Sequence, residues 1–173
     1  MISIEINEVI YNQALKHMQG FKVEQLGFFL AEYVAADRLF KVSEWLPISS
    51  AELEYQGAYH ISLSDDKRAK IIKWASDNSS SIIEIHSHIG ASAASFSASD
   101  MFGFSEWVPH IFWRLQSKPY AAIVISKNSF DSLAWIDSPT RPEQVESIKT
   151  GGGRVLVASE LSIIGTSSNV NES

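Results

Sequence analysis

Apolar and polar side chains alternate over residues 2–6, the period of a half-buried strand. Asn7 follows and can cap a helix carrying Val9, Ile10, Ala14, Leu15 and Met18 on one face, with Gly20 as its stop. Glu24 to Val34 is mostly apolar and predicts a buried strand. Arg38 to Pro47 predicts its antiparallel partner, joined by the turn Ala35-Ala36-Asp37. Ser49 to Gly57 reads as a loop and Ala58 to Ser62 as a strand. Ser64 can cap a helix running to about Asn78, with Asp65 and Asp66 in the first turn, where carboxylates suit the helix dipole. Ile71, Ile72, Trp74 and Ala75 supply its apolar face.

The second half is read the same way. Ser81 to His88 predicts a strand and residues 89–97 a loop of small side chains. A helix is expected from Ser99-Asp100, kinked or split at Pro109, which has no amide hydrogen and crowds the preceding turn. Tyr120–Ser126 and Ser129–Ile136 predict a hairpin across Lys127-Asn128. After Asp137 the pattern weakens: Pro139, Pro142 and Gly151-Gly152-Gly153 mark loops around one short element, Val155–Ala158. Helices interleaved with neighbouring strands predict an α/β sandwich with a mixed sheet. Residues 1–160 are expected to form a single domain and 161–173 a flexible polar tail.

Composition narrows the function. A chain of 173 residues, 45% hydrophobic and 20% charged, suits one soluble domain with a real core. The net charge of −6 disfavours a nucleic-acid or anionic-membrane partner. The absence of cysteine removes disulfides, thiolate nucleophiles and thiolate metal ligands together. With no basic leader and no long apolar run, the expected location is the cytoplasm.

The chemistry gathers around His86-Ser87-His88. Side chains at i and i+2 of a strand share a face, roughly 6–7 Å apart along the backbone, so two imidazoles so placed can converge on one ion. Asp100, three residues after Ser97, can return from the following loop as a third ligand. Three protein ligands with a fourth position left for water is the layout of a catalytic zinc site. Such a site also needs a carboxylate to take a proton from that water. Glu84, on the same face of the same strand, and Glu24, opening the upstream apolar strand, both qualify, and spacing alone does not choose between them.

Other polar and aromatic residues fit plainer roles. His17, beside Lys16, suits a solvent-facing helix position, and His60 suits packing or a hydrogen bond. His110 can support a ligand from behind. The tryptophans Trp45, Trp74, Trp107, Trp113 and Trp135 are scattered and suit core packing better than base stacking. The run Gly90-Ala91-Ser92-Ala93-Ala94 lacks the second glycine of a nucleophile elbow. Gly151-Gly152-Gly153-Arg154 lacks the end of a phosphate-binding loop.

His86-Ser87-His88, then Ser97-x-x-Asp100, with Glu24-Gln-Leu-Gly-Phe-Phe-Leu far upstream, closely resembles the JAMM metalloprotease motif of the MPN (JAB) domain. The resemblance spans residues 2 to about 136, and Phe102–Leu115 with Pro119–Ile125 resembles its bacterial branch. It departs from the family at two points. The loop from His88 to Ser97 holds eight residues, one more than usual, and Ile89 stands where proline is common. One extra loop residue costs little closure entropy, and Ser-x-x-Asp is intact, so Asp100 stays a ligand; Ser95 or Ser99 can compete for the place of Ser97.

The resemblance implies an MPN (JAB, cytidine-deaminase-like) three-layer α-β-α sandwich. It implies zinc on His86, His88 and Asp100, Glu24 as general base, and Ser97 stabilising the oxyanion. The implied reaction is cleavage of a peptide or isopeptide bond after the C-terminal glycine of a ubiquitin-like protein. Some members of the branch accompany such proteins and their E1-like and E2-like enzymes in antiphage defence operons. Ser49–Gly57 and Asp137–Gly153 fall where the family varies and are candidates for substrate contact or plain surface loops. The competing expectation is a metal-free MPN scaffold, the fate of family members that have lost ligands. A hydrolase of another substrate on the same fold stands third.

Overall fold

A computed structural model describes residues 1–19, 22–57, 61–90 and 93–163. Strand β1 (Ile2–Ile6) leads into helix α1 (Glu8–Met18), where Asn7 Oδ1 accepts a hydrogen bond from Ile10 N at 2.9 Å. Strands β2 (Leu26–Val34) and β3 (Leu39–Pro47) form the expected antiparallel pair. A 3-10 turn, Ala35–Asp37, joins them, and Arg38 takes a left-handed φ of 50°. Gly27 on β2 is required by close approach: a Cβ there would stand 2.1 Å from the ring of Trp45.

The segment read as a loop after Ser49 is ordered instead. It holds a 3-10 turn, Ser50–Glu52, and strand β4 (Leu53–Gln56), which pairs with β5 (Ile61–Leu63) in a small separate sheet. Helix α2 (Asp65–Asp77) begins at the Ser64 cap, and strand β6 (Ser81–Ser87) follows. Helix α3 (Ala98–Arg114) runs through Pro109 as one helix, not as two segments. The proline leaves the Ser105 carbonyl without its helical donor. Phe104, Trp107 and Val108 before it and Ile111 and Phe112 after it are buried, and that packing holds the helix together. Strands β7 (Tyr120–Ile125) and β8 (Phe130–Trp135) form the expected hairpin.

The region after Asp137 corrects the fold expectation. Glu143–Thr150 is an eight-residue strand, β9, followed by the short β10 (Val155–Val157). Strand β9 pairs antiparallel with β8 on one side and parallel with β1 on the other, so the order β1-β3-β2-β6-β7-β8-β9 returns to β1. The result is a closed, mixed seven-stranded barrel, with β10 attached to β9, among the described residues. It is not the three-layer α-β-α MPN sandwich that the resemblance implies. An open sheet would leave β1 and β9 as free edges, whereas here each satisfies the other's backbone groups.

The two faces of the barrel wall carry separate cores. Ile2, Ile4, Phe29, Ile83, Ile85, Ile123 and Ile148 pack with Tyr11, Ala14 and Met18 of α1. On the opposite face Phe28, Leu30, Ile82, Ala122 and Val124 pack under α2 and α3, against Ile71, Ile72, Trp107, Val108 and Ile111. No helix among the described residues is long and apolar enough to cross a membrane. Gly20, residues 58–60 with His60, Ala91, Ser92 and the tail beyond Ile163 lie outside the described residues.

Candidate metal centre

The alternation of β6 decides which side chains meet. Ile83 and Ile85 point to the core shared with α1, so Ile82, Glu84, His86 and, beyond the strand, His88 take the other face. Strand β2 runs antiparallel beside β6 with Leu26 opposite His86 and Phe28 opposite Glu84. Just before β2, Ser87 N donates to Gln25 O at 3.0 Å and Gln25 N donates to Ser87 Oγ at 2.9 Å, which extends the pairing toward Glu24. Glu24 is itself buried, its amide bonded to Gly57 O at 2.9 Å and its carbonyl accepting from Gln56 Nε2 at 2.8 Å.

Helix α3 brings the third ligand over this face. Ser97 is its N-cap: Ser97 Oγ accepts from Asp100 N at 3.1 Å, while Ser97 N and Oγ donate to Asp100 Oδ2 at 2.7 and 2.8 Å. This reciprocal capping box fixes the Asp100 carboxylate as well as the helix end. The serine that caps is Ser97, and neither Ser95 nor Ser99 takes its place in the cap.

His86 Nε2 lies 3.2 Å from His88 Nε2 and 3.5 Å from Asp100 Oδ2, and His88 Nε2 lies 3.2 Å from the same oxygen. Ligand atoms at the usual zinc distances around a four-coordinate ion stand about 3.3–3.4 Å apart. The triangle therefore has the size of one face of such a tetrahedron, and the group His86, His88 and Asp100 can hold a metal ion.

Electrostatics agree with a cation site. Burial alone would push the His86 imidazole down, but its hydrogen bonds to Asp100 and Glu84, and their charges, push it up to about 10. Burial raises the Asp100 carboxyl, yet the bonds to His86 and His88 outweigh it and hold the group well below the usual carboxylate range.

Glu84 resolves the choice of carboxylates. Its Oε1 lies 3.5 Å from His86 Nδ1, and its Oε2 accepts from the Tyr120 hydroxyl at 2.8 Å, which in turn accepts from Trp107 Nε1 at 3.2 Å. Burial first, then Glu84, pushes the Tyr120 hydroxyl well up, so it remains a donor. A carboxylate on Nδ1 orients the ring and presents Nε2 to the metal. Glu84 is therefore engaged behind the His86 ring, while Glu24 lines the same cleft.

A cleft of about 620 Å³ opens beside the centre, lined by Glu24, Glu84, His86, Ser97 and Asp100. Arg68 and His110 line its wall too, with the Arg68 guanidinium 4.8 Å from the Trp107 ring centroid. Sequence reasoning missed Tyr120, Trp107 and Arg68. The available signal was a single polar-tipped aromatic opening the otherwise apolar run Tyr120–Ile125. His110 lies between Trp107 and Trp113 with its ring tilted to both, centroids 6.1 and 6.0 Å away, and it is Glu84 that contacts His86 Nδ1. His17 is not solvent-facing: its Nε2 lies 3.0 Å from Leu26 O and its ring meets Trp45 edge-on.

No family model matches the chain, and no curated protein matches it. Among solved structures, the chain is similar to the solution structure of a protein from Desulfitobacterium hafniense. The two share 18% identity and a TM-score of 0.55, over 87% of this chain and 92% of that one. The likeness is one of fold alone.

Proposed function

We propose that the chain is a metal-dependent hydrolase, a zinc peptidase of the JAMM type that cuts after the C-terminal glycine of a ubiquitin-like protein. The reading is carried by one observation: two imidazole nitrogens and a carboxylate oxygen converge at 3.2–3.5 Å beside a cleft that buried Glu24 also lines. These are the residues that the sequence resemblance assigns to the ligands and the base. A zinc ion on His86, His88 and Asp100 would supply a Lewis acid to polarise the scissile carbonyl.

The protein's own groups do the rest. Glu24 accepts a proton from the attacking water and delivers it to the leaving amine, so the carbon–nitrogen bond breaks without a covalent enzyme intermediate. Glu84 and Tyr120 hold the His86 ring so that Nε2 faces the ligand triangle. Ser97 fixes Asp100, and by turning its hydroxyl outward it becomes a donor to the carbonyl oxygen as negative charge develops there.

The test is cleavage of a panel of ubiquitin-like fusions by the purified chain, with and without a chelator. Cleavage after the terminal glycine that chelator abolishes and zinc restores supports the reading. A protein that binds no zinc and cuts none of the panel is a scaffold, and the proposal fails.

A further inference from the structure

The loop between His88 and α3 has no strand to pair with, so its backbone groups must be satisfied some other way. Among the described residues, three hydroxyl-bearing side chains do this at Ala94 and Phe96, and a fourth supports one of them. Ala94 N donates to Ser129 Oγ at 2.6 Å, and Ala94 O accepts from Ser159 Oγ at 2.5 Å. Phe96 N donates to Ser162 Oγ at 2.9 Å, a bond that is buried. Ser126 Oγ meets Ser129 Oγ at 3.0 Å and steadies it.

Ser162 is held in its turn. Its amide donates to Asp131 Oδ2 at 2.9 Å, and Asp131 is fully buried, with Oδ1 accepting from Ser132 N and Gln144 Nε2. Ser159 N donates to Phe130 O at 2.9 Å, and Ile163 packs against the core under α2 and α3. The segment 159–163 is thus strapped across the loop and anchored on β8 and β9.

Phe96 links the strap to the metal centre in two ways. Its ring lies 5.7 Å from the His86 ring and 5.2 Å from Phe104. Its backbone leads directly into Ser97, the cap that fixes Asp100. Two of the three ligands therefore rest on the residue whose amide Ser162 holds.

We propose that the C-terminal strap positions the metal site, with Ser162 as the positioning residue and Asp131 as its anchor. This rests on the metal reading above and extends it: metal affinity is set by a segment that contributes no ligand. It also accounts for the tolerated extra loop residue, because the loop is pinned at Ala94 and Phe96 and so reaches Ser97 in register.

The test uses the full chain and two variants, Ser162→Ala and Ser162→Thr. Zinc affinity is measured by competition with a chromophoric chelator, the visible spectrum of the cobalt(II) form reports coordination, and thermal unfolding of the metal-free protein reports stability. Support is a loss of zinc affinity of about tenfold to a hundredfold in Ser162→Ala. The cobalt bands should weaken, metal-free unfolding should fall by no more than the loss of one buried hydrogen bond, and Ser162→Thr should recover most of both affinity and stability because it keeps the hydroxyl. Wild-type affinity and spectrum in Ser162→Ala overturn the strap while leaving the metal centre standing. Loss of metal-free stability in step with affinity, unrelieved by threonine, makes Ser162 structural only and also overturns it. A wild-type protein that takes up no zinc overturns both readings.

Discussion

Strand β6 presents two faces that differ in every physical respect. Toward α1 it offers Ile83 and Ile85, packed among aliphatic and aromatic side chains. Toward α3 it offers Glu84 and His86, with His88 just beyond, in a chain of polar contacts that runs through Tyr120 to Trp107 and through Asp100 to Ser97. The first face needs only volume and apolarity and stabilises the barrel. The second holds ionisable groups where burial is costly, and they persist because each has a partner. One backbone thus separates stability from chemistry by the alternation of side chains.

Substitutions should respect that division. The largest effect expected is on the polar side: Glu24→Gln should lower hydrolysis by about 10²–10⁴-fold. Metal content, measured by elemental analysis, should stay the same; normal turnover would remove Glu24 from the base role. On the apolar side, Ile83→Ala should cost about 2–5 kcal/mol of unfolding free energy in a urea titration. Zinc affinity per folded molecule should not change, and a parallel loss would show that the two faces are coupled.

Glu84→Gln comes next, weakening zinc binding by about 10–100-fold through loss of the carboxylate behind His86. Calorimetric titration with zinc measures it, and Tyr120→Phe should move in the same direction by less. Ser97→Ala should cost about 1 kcal/mol through loss of the helix cap, read by thermal unfolding, and should also loosen Asp100.

The smallest effect belongs outside both faces. The Lys67 hydrogen bond, then that of the Ser49 backbone, holds the Glu52 carboxyl below its ordinary value. A carboxylate lowered in the folded state contributes stability above its unfolded pKa, and that contribution is lost as pH falls through the folded value. Because the pair is partly exposed, Glu52→Gln should remove only a few tenths of a kcal/mol at neutral pH and flatten the acid limb of the stability curve. A change in zinc affinity from this variant would contradict the division.

The legible parts of the sequence were those where one period or one chemistry dominates. Ile82, Ile83 and Ile85 mark a buried strand, its histidines follow at strand spacing, and the Ser64 and Ser97 caps precede their helices directly. Strand β9 was hidden because Glu143, Glu146 and Lys149 interrupt Val145 and Ile148, while the remaining buried positions are Ser147 and Thr150. Its pairing with β1 joins opposite ends of the chain, which no local pattern encodes. That single omission turned a closed barrel into a sandwich. The placing of Glu24 and Glu84 was undecidable from spacing because both can lie on the same face; only the contacts of Glu84 to His86 Nδ1 and Tyr120 distinguish their surroundings.

The parallel seam between β1 and β9 also dictates when this protein can be completed in the cell. Ile2 leaves the ribosome long before its partner Val145 does. Until then β1 lacks a neighbour on that side. Nascent chains stalled before Glu143 should be cut readily by added protease around β1, and those stalled well past Thr150 should resist.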